Sequence, residues 1–574
     1  MITPMTKYSF IVLEREKDNF LEMLQKLGVV DITRSDKPVD EESGRIFSRI
    51  EGAKAELKSL ETGEDALSIV LKADRKALEE KIKVSSIWGD FDNERIEKLK
   101  QEGIGIRLYA VNAKKFDPEW ENEYPLSIID KEGGKVYFAI AGNDDFPMKE
   151  IEKPQKSVTE YTSELETLDL KISKHAMELE KRKVEIPHLK DLIHSLNVEL
   201  DKYLAGVQGE NAAENTVCVF EGFAPTENKE ELDAKFEEMD IYYCSEEAKV
   251  EDNPPIKLKN NSFAKNFEVF TGMYGMPAYN EFDPTPFLSI FFLLFFAMCM
   301  GDAGYGILLV IIGFRLKGKE GGLAKLYKLI ITLGIGTFFV GLVMGSAFGV
   351  DLSQVSWLPE AMRNCMITGE IAGYSAQMVI ALGIGVLHIS LAMITKSIWS
   401  VRKEGFKNSL SAIGWTLLIV GTVIVVAIAL VGLVDENTAK WIIIGIAGVS
   451  CLGIFLFNKW GRNPLINIGS GLWDTYSMAS GLMGDVLSYI RLYALGLSGG
   501  MLGSTFNTIA EMVKGQNPTW QWVPFVLILL VGHALNLAMS CLGAFVHPLR
   551  LNFVEFFKNS GYEGKGLTYN PLKK

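Results

Sequence analysis

The chain has 574 residues, a net charge of −13 and 48% hydrophobic residues, enough for two or three domains. The acidic excess argues against nucleic acid as a partner and permits a protein partner with a basic surface. That excess sits almost wholly in the first half, whereas from about Phe287 long apolar runs alternate with short charged loops, so whole-chain averages describe neither half.

The N-terminus, MITPMTKYSFIVLEREK, runs from a short apolar stretch straight into charge, which predicts no cleavable signal peptide. Tyr8 to Leu13 alternates as a strand does, Glu14 to Leu27 has helical spacing, and a short strand is expected through Val29 and Val30, opening an α/β unit. Residues 41 to 86 are charge-dense with one apolar side, a helix with a break or bend at Gly63. Ile104 to Val111 and Val136 to Ile140 are predicted strands of a small sheet. From Val158 the apolar residues Tyr161, Leu165, Leu168 and Ile172 follow at spacings of three and four, a heptad seam that continues past a break near Pro187 towards Leu204. Paired with the earlier helical segment, it predicts a long antiparallel coiled-coil hairpin. Thr216 to Phe223, a helix from Asn228 to Glu238, and Ile241 to Cys244 are expected to form a second α/β piece.

Residues 1–253 therefore read as an α+β arm that faces the cytoplasm, with lateral surface for docking other helices. His175, His188 and His194 fall on its charged helix at solvent-facing or seam-edge positions. No Walker A sequence, dinucleotide fingerprint or close His, Cys or carboxylate cluster is visible, so no nucleotide, cofactor or metal site is expected. Six scattered cysteines, Cys218, Cys244, Cys299, Cys365, Cys451 and Cys541, have the pattern of free thiols.

Residues 254–286, rich in Pro, Gly and aromatics, read as a linker to an all-α polytopic membrane domain over 287–574. The apolar run from 287 to 314 is too long for one crossing and short for two upright ones. Two short or tilted segments turning near Asp302, within GDAGYG at 301–306, fit it better. Further spans are expected at about 326–349, 374–398, 410–434, 439–457, 472–506 and 521–556, about eight in all, the last two longer than a bilayer requires and so tilted or protruding. Basic residues gather after the second span (Arg315, Lys317, Lys319, Lys325, Lys328), the fourth (Lys396, Arg402, Lys403, Lys407), the sixth (Lys459, Arg462) and at the tail (Lys558, Lys565, Lys573, Lys574). That bias places both termini in the cytoplasm. Gly341, Gly345 and Gly349 form a predicted packing stripe on the third span, whereas Gly496, Gly499, Gly500 and Gly503 on the seventh suit either static packing or the close passage of a moving partner.

The seventh span contains a charge that bilayer depth disfavours. Arg491 stays protonated and should face protein or water and have a task. Ser488 precedes it by three residues, no carboxylate lies at helical spacing, and Asp485, six residues away, falls on another face. The counter-charge is thus sought in another segment or another subunit. The eighth span brings His547 and Arg550 onto one face, followed by Glu555, a group suited either to an aqueous passage or to a helix end. His388 and His533 read as hydrogen-bonded packing groups.

YGMPAYNEFDPTPF at 274–287, FFAMCMGDAGYG at 295–306, SYIRLYALGLS at 488–498, GHALN at 532–536 and FVHPLRLNFVEFFKNSGYEGKG at 545–566 together resemble the membrane stator subunit of V-type and A-type rotary ATPases, called subunit a, or subunit I in bacteria. The resemblance implies that the family's essential arginine falls on Arg491 and its second membrane arginine on Arg550; Ser488, His547 and Glu555, read from their helix faces, are expected beside them along the ion path. It implies partners in a rotor ring of proteolipids that carries the proton- or sodium-binding carboxylate, peripheral stalk subunits of the E/G type, and, as a further candidate, the central-stalk cap subunit. Catalytic nucleotide sites would belong to other subunits of the ATPase or ATP synthase. Two positions depart from eukaryotic members, which have a histidine at Gly499 and a glutamate at Ser540, so the detailed route and the ion do not carry over. A secondary transporter with its own substrate site and a membrane-anchored scaffold are the competing readings. Neither the ion nor the direction of transport is legible.

Overall fold

Tyr8, Phe10 and Val12 are buried and alternate with less buried neighbours, which makes Met5–Leu13 a half-buried strand, β1. In the computed structural model, every residue is described except 36, 114, 143–145, 152, 213–215, 240, 320, 355–358, 361–362, 364–365, 368, 372, 431, 457–463, 515–521 and 574. Cys365, Lys459, Arg462 and Lys574 lie outside the described residues. After β1 come α1 (Lys17–Leu27), β2 (Asp31–Ile32), α2 (Glu41–Thr62), α3 (Ala66–Ser86), β3 (Ile106–Asn112), β4 (Leu126–Glu132), β5 (Lys135–Ala141), α4 (Val158–Arg182), α5 (Ile186–Val207), β6 (Val217–Pro225), α6 (Lys229–Glu238) and β7 (Tyr242–Glu247). The chain divides into two compact units, one of Leu13–Gly28, Thr33–Cys218 and Leu572–Lys574, the other of Met1–Val12, Val29–Ile32 and Val219–Pro571.

The first of these units is built on helix pairs. Asp40 with Ser43, Asp65 with Ser68 and Ser157 with Glu160 form reciprocal capping boxes that start α2, α3 and α4. Gly63, in the left-handed conformation at φ 68°, ends α2, so the expected break is a cap. Pro187 sits at the start of α5, where its missing N–H costs nothing. α2 packs on α5 and α3 on α4, with Ile46 and Ile50 against Leu196, and Leu60 against Leu179 and Leu189. His175 bonds to Asp65 at 2.9 Å, while His188 and His194 are exposed. The small sheet has the order β3-β5-β4. Its middle and first strands match the predicted ones, but β4 carried no period-two signal, because a bulge between Ile128 and Asp130 interrupts the alternation and leaves Ile129 exposed.

The second unit contains a sheet ordered β2-β6-β1-β7. The two α/β pieces expected from the sequence are thus one sheet, since β1 runs antiparallel to β7 with Ser9 opposite Cys244. The short strand after α1 falls on Asp31–Ile32 and pairs with Phe223 and Gly222 of β6, two residues later than its apolar pair suggested. Phe236 of α6 closes over Tyr8 and Phe10, with ring centroids 5.6 and 5.2 Å away. The segment after the sheet is laced to the C-terminal tail: Ile256 N donates to Leu567 O at 2.7 Å, Gly566 N to Met276 O at 2.8 Å, and buried Glu281 accepts from Glu563 N at 2.9 Å.

The apolar helices follow as α7 (Thr285–Met300), α8 (Ala303–Leu316), α9 (Tyr327–Met344), α10 (Ala376–Glu404), α11 (Leu410–Leu430), α12 (Glu436–Cys451), α13 (Pro464–Lys514) and α14 (Trp522–Arg550). Five helical stretches among the described residues, Tyr327–Met344, Ala376–Glu404, Leu410–Ala429, Glu436–Phe455 and Trp522–Ser560, are long and apolar enough to cross a membrane. They mark a membrane protein. α7 and α8 are apolar but shorter, and turn at Gly301–Asp302 as expected. Phe292, Phe295, Tyr489, Leu492 and Phe556 belong to one buried core.

One glycine stripe is corrected. α9 ends at Met344, so only Gly341 lies on it, against the Asp302–Ala303 backbone. Gly345 (φ 74°) caps the helix and Gly349 (φ 70°) sits in a turn, each in a region that favours glycine.

Candidate functional site

α13 is a single helix of 51 residues that carries both Ser488 and Arg491. α14 contains Pro548, which removes one backbone donor. The chain beyond it widens into a π-helical segment, Leu551–Phe556, and Asn552 Nδ2 donates to the Pro548 carbonyl at 2.8 Å. Wide turns of this kind often sit at functional positions. The π segment holds Glu555, and a further short helix, α15 (Phe557–Ser560), follows it.

These elements bring the five expected residues together. His547 faces both Arg491 and Arg550 within electrostatic reach. Glu555, buried, interacts electrostatically with Arg550 and lies near Ser488. The Ser488 hydroxyl itself donates to the Gly484 carbonyl at 3.0 Å. Glu555 Oε2 and His547 Nδ1 are buried without a hydrogen-bond partner among the described residues. Neither arginine forms an ion pair or hydrogen bond with any described residue. Along the face of Arg491, Gly484, Leu487, Ala494 and Ser498 are exposed.

Two cavities of mixed polar and apolar lining meet α13 on either side of that arginine. The first, about 470 Å³, reaches α13 between Asp474 and Asp485 and is also lined by Lys396, Glu404, Lys558 and Asn559. The second, about 390 Å³, reaches it between Tyr493 and Ser504 and is bounded by Gly301, Ser346 and Gln377. At a rise of about 1.5 Å per residue, Asp485 lies about 9 Å before Arg491 and Gly496 about 7.5 Å after it.

By sequence Asp485 shares no helical face with Arg491. The structure gives it a different setting, buried in the lining of the first cavity, where it accepts from Asn559 Nδ2 at 2.8 Å and lies 3.6 Å from Lys558 Nζ. No sequence signal links positions 74 residues apart. His388 and His533 are hydrogen-bonded packing groups as expected, the first to Tyr489 Oη at 2.9 Å, the second to Tyr305 Oη at 2.8 Å. Gly499 and Ser540, the two departures noted from the sequence, face each other: a Cβ on Gly499 would lie 3.1 Å from Ser540 Oγ. The two departures thus occupy one spot.

Residues 142–348 match the model of the V-type ATPase 116 kDa subunit family. The chain is 27% identical to V-type ATP synthase subunit I of Borreliella burgdorferi, over the full length of both chains. It is 28% identical to A-type ATP synthase subunit I of Methanocaldococcus jannaschii, over 84% of this chain and 71% of that one. With the Pyrococcus horikoshii A-type subunit I the identity is 32%, over 57% of this chain and 49% of that one.

Proposed function

From the match of residues 142–348 to the V-type ATPase 116 kDa subunit family and the likeness to subunit I along the whole chain, we propose that it is the non-catalytic membrane stator of a rotary V/A-type ATPase, working with a proteolipid rotor ring to move protons or sodium ions. The observation that carries this reading is Arg491 itself, a permanent cation without a partner among the described residues, between two cavities on one helix. A rotor carboxylate that reaches a guanidinium is favoured in its charged, ion-free form, because an opposite charge nearby lowers its affinity for a proton or cation. With the cavities as offset half-channels, each carboxylate loads on one side and unloads on the other, and the arginine bars a direct leak. One elementary charge crossing 100 mV is worth about 2.3 kcal/mol, so several must cross for each ATP.

The exposed apolar residues of α13 and α14, among them Leu487, Met501, Leu527 and Leu542, form the face offered to the rotor or to lipid. In this reading α7 to α14 are eight crossing helices, both termini are cytoplasmic by the lysine and arginine bias, and Ser488, His547, Arg550 and Glu555 line the path. The helix pairs form a coiled coil which, with the β3-β5-β4 lobe, docks peripheral stalk subunits of the E/G type and resists torque; the central-stalk cap subunit is a further partner.

The test is ATP-driven ion uptake by the purified, reconstituted complex, compared between wild type and Arg491→Ala, with and without sodium. Loss of uptake in an assembled variant supports the stator role, and the response to sodium names the ion. Unchanged uptake makes the arginine structural and reopens the transporter and scaffold readings.

A further inference from the structure

The GDAGYG turn holds a group that the ion path does not use. Asp302 is 1% exposed. Its Oδ1 accepts from Tyr305 N at 3.1 Å and Phe348 N at 2.8 Å, and its Oδ2 from Gly349 N at 2.8 Å and Ser346 Oγ at 3.3 Å. It thereby caps α8 and gathers the hairpin of β8 (Ser346–Ala347) and β9 (Val350–Asp351). Two oxygens taking two donors each is work for a carboxylate; an asparagine in its place keeps one accepting oxygen.

From Phe348 the hydrogen bonds continue and return. Asn507 Nδ2 on α13 donates to Phe348 O at 2.8 Å, Asn507 Oδ1 meets His533 Nε2 of α14 at 3.0 Å, and His533 Nδ1 meets Tyr305 Oη at 2.8 Å, which leads back through Tyr305 N to Asp302. Tyr305 Oη also accepts from Asn536 Nδ2 at 2.8 Å. Its own hydrogen is therefore free for His533 Nδ1, and Nε2–H then points at Asn507, so one neutral tautomer satisfies the whole ring. Four elements are closed into one loop.

The ring holds a strained piece of chain. Phe348 has φ 50°, which a non-glycine residue keeps only where its surroundings fix it. Its ring packs edge-on to Tyr305 and His533, centroids 5.7 Å from each. Next to it Gly349 rests on α13, where a Cβ would lie 2.5 Å from Gly503 C and Ser504 N. Ser346, Gly349 and Asp351 of this hairpin line the second cavity opposite Gly496, Gly500 and Ser504.

We propose that Asp302 is a positioning residue that holds the Ser346–Asp351 hairpin against α13 as a fixed wall of the second cavity. The assignment of that cavity to ion access rests on the stator reading; the role of Asp302 in shaping it does not. When the anchor is weakened, the hairpin lifts from Ser504 and the wall is lost.

The reporter is Ser504→Cys in the assembled complex, treated with a membrane-impermeant thiol reagent on each side of sealed vesicles, with the rate of modification read at residue 504 by peptide mass. Asp302→Asn is expected to raise that rate at least threefold and to lower ATP-driven uptake while ATP hydrolysis continues. An unchanged or lower rate in the assembled variant overturns the proposal. Where Asp302→Asn does not assemble, Asn507→Ala opens the ring from the other side and decides the matter by the same measure. Arg491→Ala should leave the rate at residue 504 unaltered; retained uptake in that variant defeats the stator reading, whereas the labelling result still judges Asp302.

Discussion

Asp485 of α13 accepts a 2.8 Å hydrogen bond from Asn559 of α15, joining the helix that carries Arg491 to the far end of the segment that carries Glu555. Asn559 in turn donates to the Glu555 carbonyl at 2.7 Å. Both residues line the first cavity, and the bond ties the two segments together.

Removing that acceptor has a defined cost. Asp485→Leu leaves one of the two hydrogens of the buried Asn559 amide without an acceptor, the other keeping the Glu555 carbonyl, which should cost about 1–2 kcal/mol. Asp485→Asn keeps a bond and loses only the attraction to Lys558, whose side chain is 58% exposed, a pair worth under about 1 kcal/mol. Thermal unfolding of the purified subunit in detergent should rank wild type, Asn and Leu in that order.

Glu555→Gln preserves the shape beside Ser488 and removes the charge that faces Arg550. Assembly should be unaffected and coupled uptake should fall several-fold, measured in the same vesicles as Arg491→Ala. Full uptake would take Glu555 off the ion path.

Cys218 gives a chemical test in the other unit. Burial and the nearby Glu14 carboxyl push its thiol up to about 11, which leaves roughly one thiol in a thousand ionised at pH 8, and the thiolate is the nucleophile. Cys244 is exposed. In native protein at pH 8, iodoacetamide should alkylate Cys244 at least tenfold faster than Cys218, as read by peptide mass. Equal rates would show that Cys218 is not held in this way.

The α3 cap should respond to acid. The hydrogen bond from His175, and then that from Ser68 N, hold the Asp65 carboxyl below the usual range. A carboxyl lowered by folding contributes stability that is present above its unfolded value of about 3.9 and lost as pH falls through its lower folded value. Protection of the first-turn amides of α3, taken relative to their intrinsic exchange at each pH, should therefore fall below about pH 4. Asp65→Ala should remove the pH dependence and cost about 0.5–2 kcal/mol at neutral pH.

Much of this protein was legible locally. Capping boxes, heptad spacing and apolar runs are short-range signals, and they located the helix pairs, the Gly63 break, the turn at Asp302 and the unusual charge at Arg491. Where a local period was broken, as in β4 by its bulge, or where helix and turn share glycines, as at Gly345 and Gly349, the reading failed. The tertiary structure alone decided which distant groups meet: β1 with β7 across more than 200 residues, Asp485 with Asn559, and Asp302 with a hairpin more than 40 residues away. Backbone propensity and hydrophobic period act over a few residues, so they set the elements. Burial of polar groups must be satisfied by whatever the packed chain brings near, so the partners of Asp302 and Asp485 exist only once the helices have docked.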